Sequence, residues 1–592
     1  MTVRLRTVAI VTTLVWVLLV PVMAAPAREV PAPAREVPGG IDVKRAAKTL
    51  ASAGTAGPLE PPATLGAQAA TADRRRGGRG GRDGDDVQVS QDQDPDAVLR
   101  SGASELSVAA TAGGRLAVAG WNDAEGFGYA PFVPENPPLG LSGYGYSSDG
   151  GRSWTDGGAP PIGTTVASGP GTQGRSATGR YVTRGDPWLD VDARGRFFYA
   201  NLAVWEDDPL TPPAGISLHT GGFHGRRFSW DRPVLIQSPG YPGDFLDKEA
   251  LAVGAHRGRT AVYISVTNFE ETCDQPFFGF GTIELYRSLD AGRTWSSTVV
   301  QPDETVVTDP ADPACGAEGI VNQGSMPAVG PGGDLYVVWE RGWLAAGGEL
   351  PRATIAFAAS DDRGATFGPR VEVASICSMA LDPPAAYNRA TSNDFPRIAV
   401  ADAGRTRGRI YVTYHDCSAA AGDAPFGADT DVYVTWSDDG GATWSTPVAV
   451  HATADGVQQF WPAVSTGAGG VVDVTYYHMR DVNLTPDPAD IECSVRVGGT
   501  LEEPDLRQST LTTLSDVYRV RSTDGGLTWR APVRVTDVTT DWCDATPLNS
   551  IIPNFGDYNT SVTTRRGVLA TWADGRNAGI RDRVPTAFAQ HD

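Results

Sequence analysis

From about residue 105 onward the chain alternates apolar and polar positions in paired runs, the period-two signature of half-buried strands. Phe395-Pro-Arg-Ile-Ala-Val400 leads through a Gly-containing turn into Arg409-Ile-Tyr-Val-Thr-Tyr414, and Met326-Pro-Ala-Val329 leads into Leu335-Tyr-Val-Val-Trp339. The same pairing recurs at 105–121, 187–205, 249–268, 324–340, 394–415, 459–478 and 556–572. These runs predict seven inner hairpins about 75 residues apart, a spacing that suits four-stranded blades with long loops.

A second repeat follows the hairpins. Ser147-Ser-Asp149-Gly-Gly151-Arg-Ser-Trp154, Ser288-Leu-Asp290-Ala-Gly292-Arg-Thr-Trp295 and Ser360-Asp-Asp362-Arg-Gly364-Ala-Thr-Phe367 share one pattern. So do Ser437-Asp-Asp439-Gly-Gly441-Ala-Thr-Trp444 and Ser522-Thr-Asp524-Gly-Gly526-Leu-Thr-Trp529. In a tight hairpin the Ser and Asp side chains bond turn amides and Gly supplies a positive φ. The closing aromatic packs back beneath the turn. This is the Asp box, a folding device that says nothing by itself about catalysis. The second unit lacks it, with Thr220-Gly-Gly-Phe-His224 in its place. The seventh runs out of chain after a third strand at 583–590, so Asp86-Val-Gln-Val-Ser90 is expected to supply its fourth.

The expected fold is all-β: a single propeller of seven four-stranded blades over 85–592, closed by the N-terminal strand joining the last blade, with six blades as the alternative. From about residue 85 on, the chain resembles the sialidase superfamily of Asp-box propellers, especially its secreted bacterial members. That resemblance implies a carbohydrate-active protein, with three arginines clamping a substrate carboxylate, a tyrosine nucleophile activated by a glutamate, and an aspartate as acid/base. Sialidases have six blades and an Arg-Ile-Pro string near the start. Here the nearest string is Pro396-Arg397-Ile398, in the fifth unit.

Propeller geometry gathers the loops that enter each first strand and leave each second strand at one mouth, the default site of the fold. The incoming loops carry Glu105, Asp186, Asp247-Lys248-Glu249, Gln323, Asp394, Gln458 and Asp557-Tyr558. Asp186, Asp247, Glu249, Asp394 and Asp557 are the candidate acids, since two carboxylates across a sugar-sized cleft suffice for glycoside hydrolysis. Tyr558 is the candidate nucleophile, with Glu249 or Glu105 as partner. Arg341, Arg480 and Arg576 are the candidate clamp, and Trp121, Trp205, His415 and His478 the remaining candidate substrate contacts. Each has a blander alternative, as a loop-capping acid, an ion-pair partner or a strand-end aromatic. A non-catalytic glycan- or protein-binding propeller and a polysaccharide lyase using a His base stay open beside the hydrolase. No cofactor is required, although bound Ca²⁺ suits so many carboxylates. There is no H-E-x-x-H, P-loop or G-x-S-x-G string.

Residues 1–24 read as a secretory signal: Arg4 and Arg6 precede an apolar run from Val8 to Val22 and then Val22-Met23-Ala24. Residues 25–84 are a Pro/Ala/Gly/Arg-rich linker with too little apolar material to repay folding entropy. A secreted, extracellular monomer is therefore expected, with no membrane span. The net charge of −21 excludes nucleic acid as the main partner. Six cysteines in an exported chain point to disulfides, and sequential pairing gives Cys273–Cys315, Cys377–Cys417 and Cys493–Cys543 among fifteen possibilities.

Overall fold

The computed structural model describes residues 85–90, 102–123, 140–167, 169, 180–205, 215–240, 244–270, 281–304, 306–307, 317–344, 353–377, 393–417, 430–453, 457–480, 494–499, 504–508, 513–542, 555–577 and 586–591. The signal and linker segments, Cys273, Cys315, Cys493 and Cys543 lie outside them, as does Asp481.

Every hairpin expected from the alternation forms. In the first unit Ala103–Ala110 pairs with Ala117–Asp123, followed outward by Ser142–Ser147 and Thr155–Gly158, all antiparallel. The third unit repeats this with Asp244–His256, Arg259–Glu270, Thr282–Ser288 and Ser296–Gln301. The fourth runs Ala317–Val329, Leu335–Leu344, Ala353–Ser360 and Val371–Ile376. The last sheet is completed from the other end of the chain: Val87–Gln88 pairs with Thr586–His591, then Val568–Asp574 and Thr560–Thr563. Small and β-branched residues dominate the inner strands because both faces are covered by neighbouring sheets.

Adjacent sheets are laced by side-chain bonds to free backbone amides. The amide of Leu189 donates to Ser107 Oγ at 2.9 Å, that of Val253 to Asp190 Oδ2 at 2.7 Å, and that of Val108 to Thr560 Oγ1 at 2.7 Å. Thr466 Oγ1 donates to the Val400 carbonyl at 3.1 Å, and Thr475 Oγ1 to Ser561 Oγ at 3.0 Å.

The Asp boxes share one geometry. In the fourth, Ser437 Oγ donates to Asp439 Oδ1 at 2.8 Å and accepts the Gly441 amide at 2.9 Å, while the Thr443 amide and hydroxyl donate to the two Asp439 oxygens. These donors hold the Asp439 carboxyl down at about 2. The second unit replaces the box with a hairpin, Gly215–His224 against Arg227–Trp230, turning at Gly225 with φ +69°. Its aromatic residues Phe223, Phe228 and Trp230 pack with Tyr144, Tyr146 and Tyr199, taking over the anchoring done elsewhere by the box aromatic.

Candidate functional site

The incoming ends of the inner strands do not continue as regular β-structure. Register shifts between Ser104 and Ser107, Asp247 and Ala250, Gln323 and Met326, and Phe460 and Ala463 mark β-bulges at equivalent places. At the same level Glu105, Asp186, Lys248 and Trp461 adopt φ of +53°, +54°, +53° and +47°, and Gly324 and Gly556 take +65° and +83°. A bulge with a left-handed residue re-aims the side chain. For non-glycine residues that conformation costs about 1–3 kcal/mol each and clusters at functional sites.

The bulges bring together residues remote in sequence. Lys248 Nζ lies 2.9 Å from Glu105 Oε1, 3.2 Å from Asp186 Oδ2 and 2.8 Å from Asp557 Oδ2. Asn122 braces the group, its Nδ2 donating to Glu105 Oε2 and its Oδ1 accepting the Asp186 amide. Gln323 Nε2 donates to Asp247 Oδ2 at 2.7 Å. All of these side chains are buried. Burial alone would depress the Lys248 ammonium, but Asp186, Asp557, Glu105 and Asp247 together hold it well above its usual range. Burial raises the carboxyls of Asp186, Asp247 and Glu105, with neighbouring carboxylates adding to each.

Glu249 differs from these acids. It is 2% exposed, and no other residue donates a hydrogen bond to either carboxyl oxygen. Burial, then the charges of Asp186 and Asp247, push it well above the carboxylate range. A carboxyl so placed holds its proton and can give it up, which is the requirement for a general acid.

The aromatic wall beside this cluster is Tyr558 and Trp188, with ring centroids 5.5 Å apart. The Arg397 guanidinium sits 5.5 Å from the Trp188 centroid and 5.4 Å from that of Tyr558. It is 5% exposed, donates through Nη1 to the Pro396 carbonyl, and leaves Nε without a partner. Desolvation lowers it to about 10. Tyr558 is in the cluster, but its hydroxyl donates to the Pro187 carbonyl at 3.2 Å. Burial and the charges of Glu105, Asp186 and Glu249 push the phenol well up, with Arg397 acting the other way. These surroundings disfavour the phenolate that a tyrosine nucleophile needs.

Between the fourth and fifth units His415 Nε2 lies 2.8 Å from Asp394 Oδ1, both fully buried. The Asp394 amide donates to Glu340 Oε2 at 3.0 Å, and burial followed by the Asp394 charge raises the Glu340 carboxyl well above its usual range.

Several expected contacts lie elsewhere. Trp121 and Trp205 are 1% and 3% exposed and belong to the cores of the first and second sheets, so they form no aromatic rim. Each of the three proposed clamp arginines is engaged locally by carboxylates of its own surroundings. Arg341 pairs with Glu304 at 2.9 Å, Arg480 with Asp516 at 2.8 Å, and Arg576 with Asp574, Asp86 and Asp537. His478 stacks on His451, with centroids 5.5 Å apart, and lies tilted against Tyr518 at 4.5 Å. The buried arginine at the centre is Arg397, visible beforehand only as the misplaced Arg-Ile string. Lys248, Asn122, Gln323 and Glu340 also went unselected as site residues. Gly324 and Gly556, glycines at matching strand starts, were the signal that left-handed positions recur there. The pairing of Cys377 with Cys417 is formed as expected.

No family model matches the sequence, and no curated protein matches it. Among solved structures the chain is similar to a Hadza microbial sialidase, at 12% identity and a TM-score of 0.38, over 68% of this chain and 64% of that one. The match thus spans less than two thirds of the sialidase's own length. It is also similar to an α-L-arabinofuranosidase of Fusarium graminearum solved with an iminosugar inhibitor, at 13% identity and 0.38, over 66% and 92%. A protein of unknown function from Dyadobacter fermentans aligns at 13% identity and 0.37, over 86% and 98%.

Proposed function

We propose that this is a secreted glycoside hydrolase that cleaves a complex or anionic glycan at the mouth where the bulged strand ends converge. Glu249 acts as general acid, and an ionised carboxylate of the cluster, Asp186 or Asp247, faces it electrostatically. The observation that carries this reading is Glu249 itself, a buried carboxyl to which no other residue donates, beside acids whose charge Lys248 offsets. Glycoside cleavage asks for two carboxyls in opposite protonation states; burial favours the protonated form of Glu249, while the Lys248 charge beside Asp186 works against the rise that burial imposes there. Arg397, with its free Nε, suits an anionic substituent on the sugar.

Seven blades closed into one ring complete the reading. Support comes from the order in which inner strands lie side by side: Ala103–Ala110, Trp188–Val191, Asp244–His256, Ala317–Val329, Arg397–Val400, Gln458–Gly467 and Thr560–Thr563, which again lies against Ala103–Ala110. Export is supported by the leader-like residues 1–24 and by the Cys377–Cys417 bridge. The Lys248 ammonium occupies the position among Glu105, Asp186 and Asp557 that Ca²⁺ would take, so activity is proposed to need no metal.

The near-complete burial of the Lys248 group favours a second reading, in which it is a structural hub and the propeller binds glycans without cleaving them. Incubating the mature protein with sialosides, uronic-acid polysaccharides and neutral cell-wall glycans, with and without EDTA, separates the two. Release of sugar supports the hydrolase. Silence on every substrate supports the binding propeller.

A further inference from the structure

We propose that His415 is the proton acceptor of this mouth and that Asp394 is its positioning residue. This rests on the hydrolase reading and exchanges the expected roles of the two side chains, since Asp394 was the candidate acid and His415 a substrate contact. His415 is 1% exposed; Nε2 faces Asp394 Oδ1 at 2.8 Å, and Nδ1 has no partner. Leaving a buried ring nitrogen unbonded costs free energy comparable to a lost hydrogen bond. With the Asp394 carboxylate accepting from Nε2–H, the lone pair must lie on Nδ1.

The surroundings fix that tautomer. Asp394 is tied through its own amide to Glu340 Oε2. Asp416, the next residue along the strand, is turned to another task, accepting the amides of Cys377 at 2.8 Å and Cys417 at 2.9 Å. The Cys377–Cys417 bridge ties Cys377 to the end of the strand carrying His415. Among the described residues Asp394 and Asp416 are charged neighbours of the imidazole, while Glu340, adjoining Asp394 and influenced by Asp557, is driven toward its neutral form.

In turnover His415 Nδ1 takes a proton from water as the water oxygen bonds to the anomeric carbon. The glycosidic C–O bond breaks, its electron pair stays on the leaving oxygen, and that oxygen takes the Glu249 proton. Solvent then carries the proton on His415 back to Glu249, so one water is consumed and no oxidant or reductant is needed.

The full mature chain labelled with ¹⁵N-histidine tests the arrangement without any substrate, with His415 assigned among seven histidines by its loss in His415→Gln. The expected result at neutral pH is the Nε2–H tautomer with an unprotonated Nδ1, and a shift of that population in Asp394→Asn. On a glycan that the wild type hydrolyses, His415→Gln should lower kcat by about 10²-fold or more, the scale of a lost general base, with KM little changed. Asp394→Asn should lower kcat less and displace the acidic limb of the pH profile. An Nδ1–H tautomer, an unchanged kcat in His415→Gln, or an unsaturated ultraviolet-absorbing product, which would assign His415 to β-elimination, overturns the proposal. If the wild type cleaves nothing, the hydrolase reading fails, and the tautomer alone then decides whether the Asp394–His415 pair is set as described.

Discussion

Lys248 and Glu105 stand 143 positions apart in the chain, yet Lys248 Nζ donates to Glu105 Oε1 at 2.9 Å in a fully buried contact. The two side chains meet because both leave their strands at left-handed bulges. Lys248→Met removes the cation from among Glu105, Asp186 and Asp557. Breaking a buried ion pair from one side typically costs about 3–5 kcal/mol, and denaturant unfolding at neutral pH should show a loss of that order. The penalty comes from ionised carboxylates, so it should shrink as the pH falls and they take up protons. A loss that is small and independent of pH would mean the group does not behave as a charged network.

Gly556 has φ +83°, and a Cβ there would meet Glu105 Cγ and its backbone nitrogen. Gly556→Ala should therefore destabilise the protein by about 1–3 kcal/mol from the strained backbone alone. It should also displace Glu105 from Lys248. Thermal unfolding measures the first effect, and a crystal structure of the variant the second.

His219 is fully buried, with Nε2 beside the Pro161 carbonyl at 2.9 Å, and burial lowers it to about 4. The folded state binds this proton more weakly than the unfolded chain. His219 therefore contributes stability that is present above about pH 6.5 and lost as the pH falls toward 4. His219→Gln, which keeps a donor for Pro161, should flatten stability against pH in that window by on the order of 2 kcal/mol relative to the wild type. An identical pH dependence in the two proteins would contradict the assignment.

What could be read from the sequence is what short-range contacts determine. The Asp boxes were legible because the side chains of Ser437, Asp439 and Thr443 bond within the box, a few residues apart. The inner hairpins were legible from alternation, and the Cys377–Cys417 pairing from order along the chain. The candidate acids Asp186, Asp247, Glu249 and Asp557 do share one neighbourhood, but what distinguishes them is set across sheets. Whether Glu249 is bonded, and which cation faces Asp186, depends on bulges that put non-glycine residues at positive φ, a choice that propensity does not forecast. Arg341 and Arg576 were misjudged for a related reason. Glu304 lies 37 positions from Arg341 and Asp86 lies 490 from Arg576, and these ion pairs absorbed charges that strand-end position alone made look free.

The Cys377–Cys417 bridge spans 40 residues. Replacing both cysteines with serine should cost about 2–4 kcal/mol, the usual range for a loop of this size. If His415 is held as described, its tautomer should become less uniform in the same variant. Non-reducing peptide mapping would show the bridge directly, together with any pairing of the other four cysteines.

The central claim is that Glu249 donates a proton to a departing sugar oxygen. The direct measurement is turnover of wild type and Glu249→Gln on a glycan the wild type cleaves, across pH, with folding of both checked by thermal unfolding. The account predicts a variant at least as stable as the wild type, since a buried acid has become a neutral amide, with kcat lower by about 10²–10⁴-fold. A folded Glu249→Gln protein that turns over at the wild-type rate would contradict it.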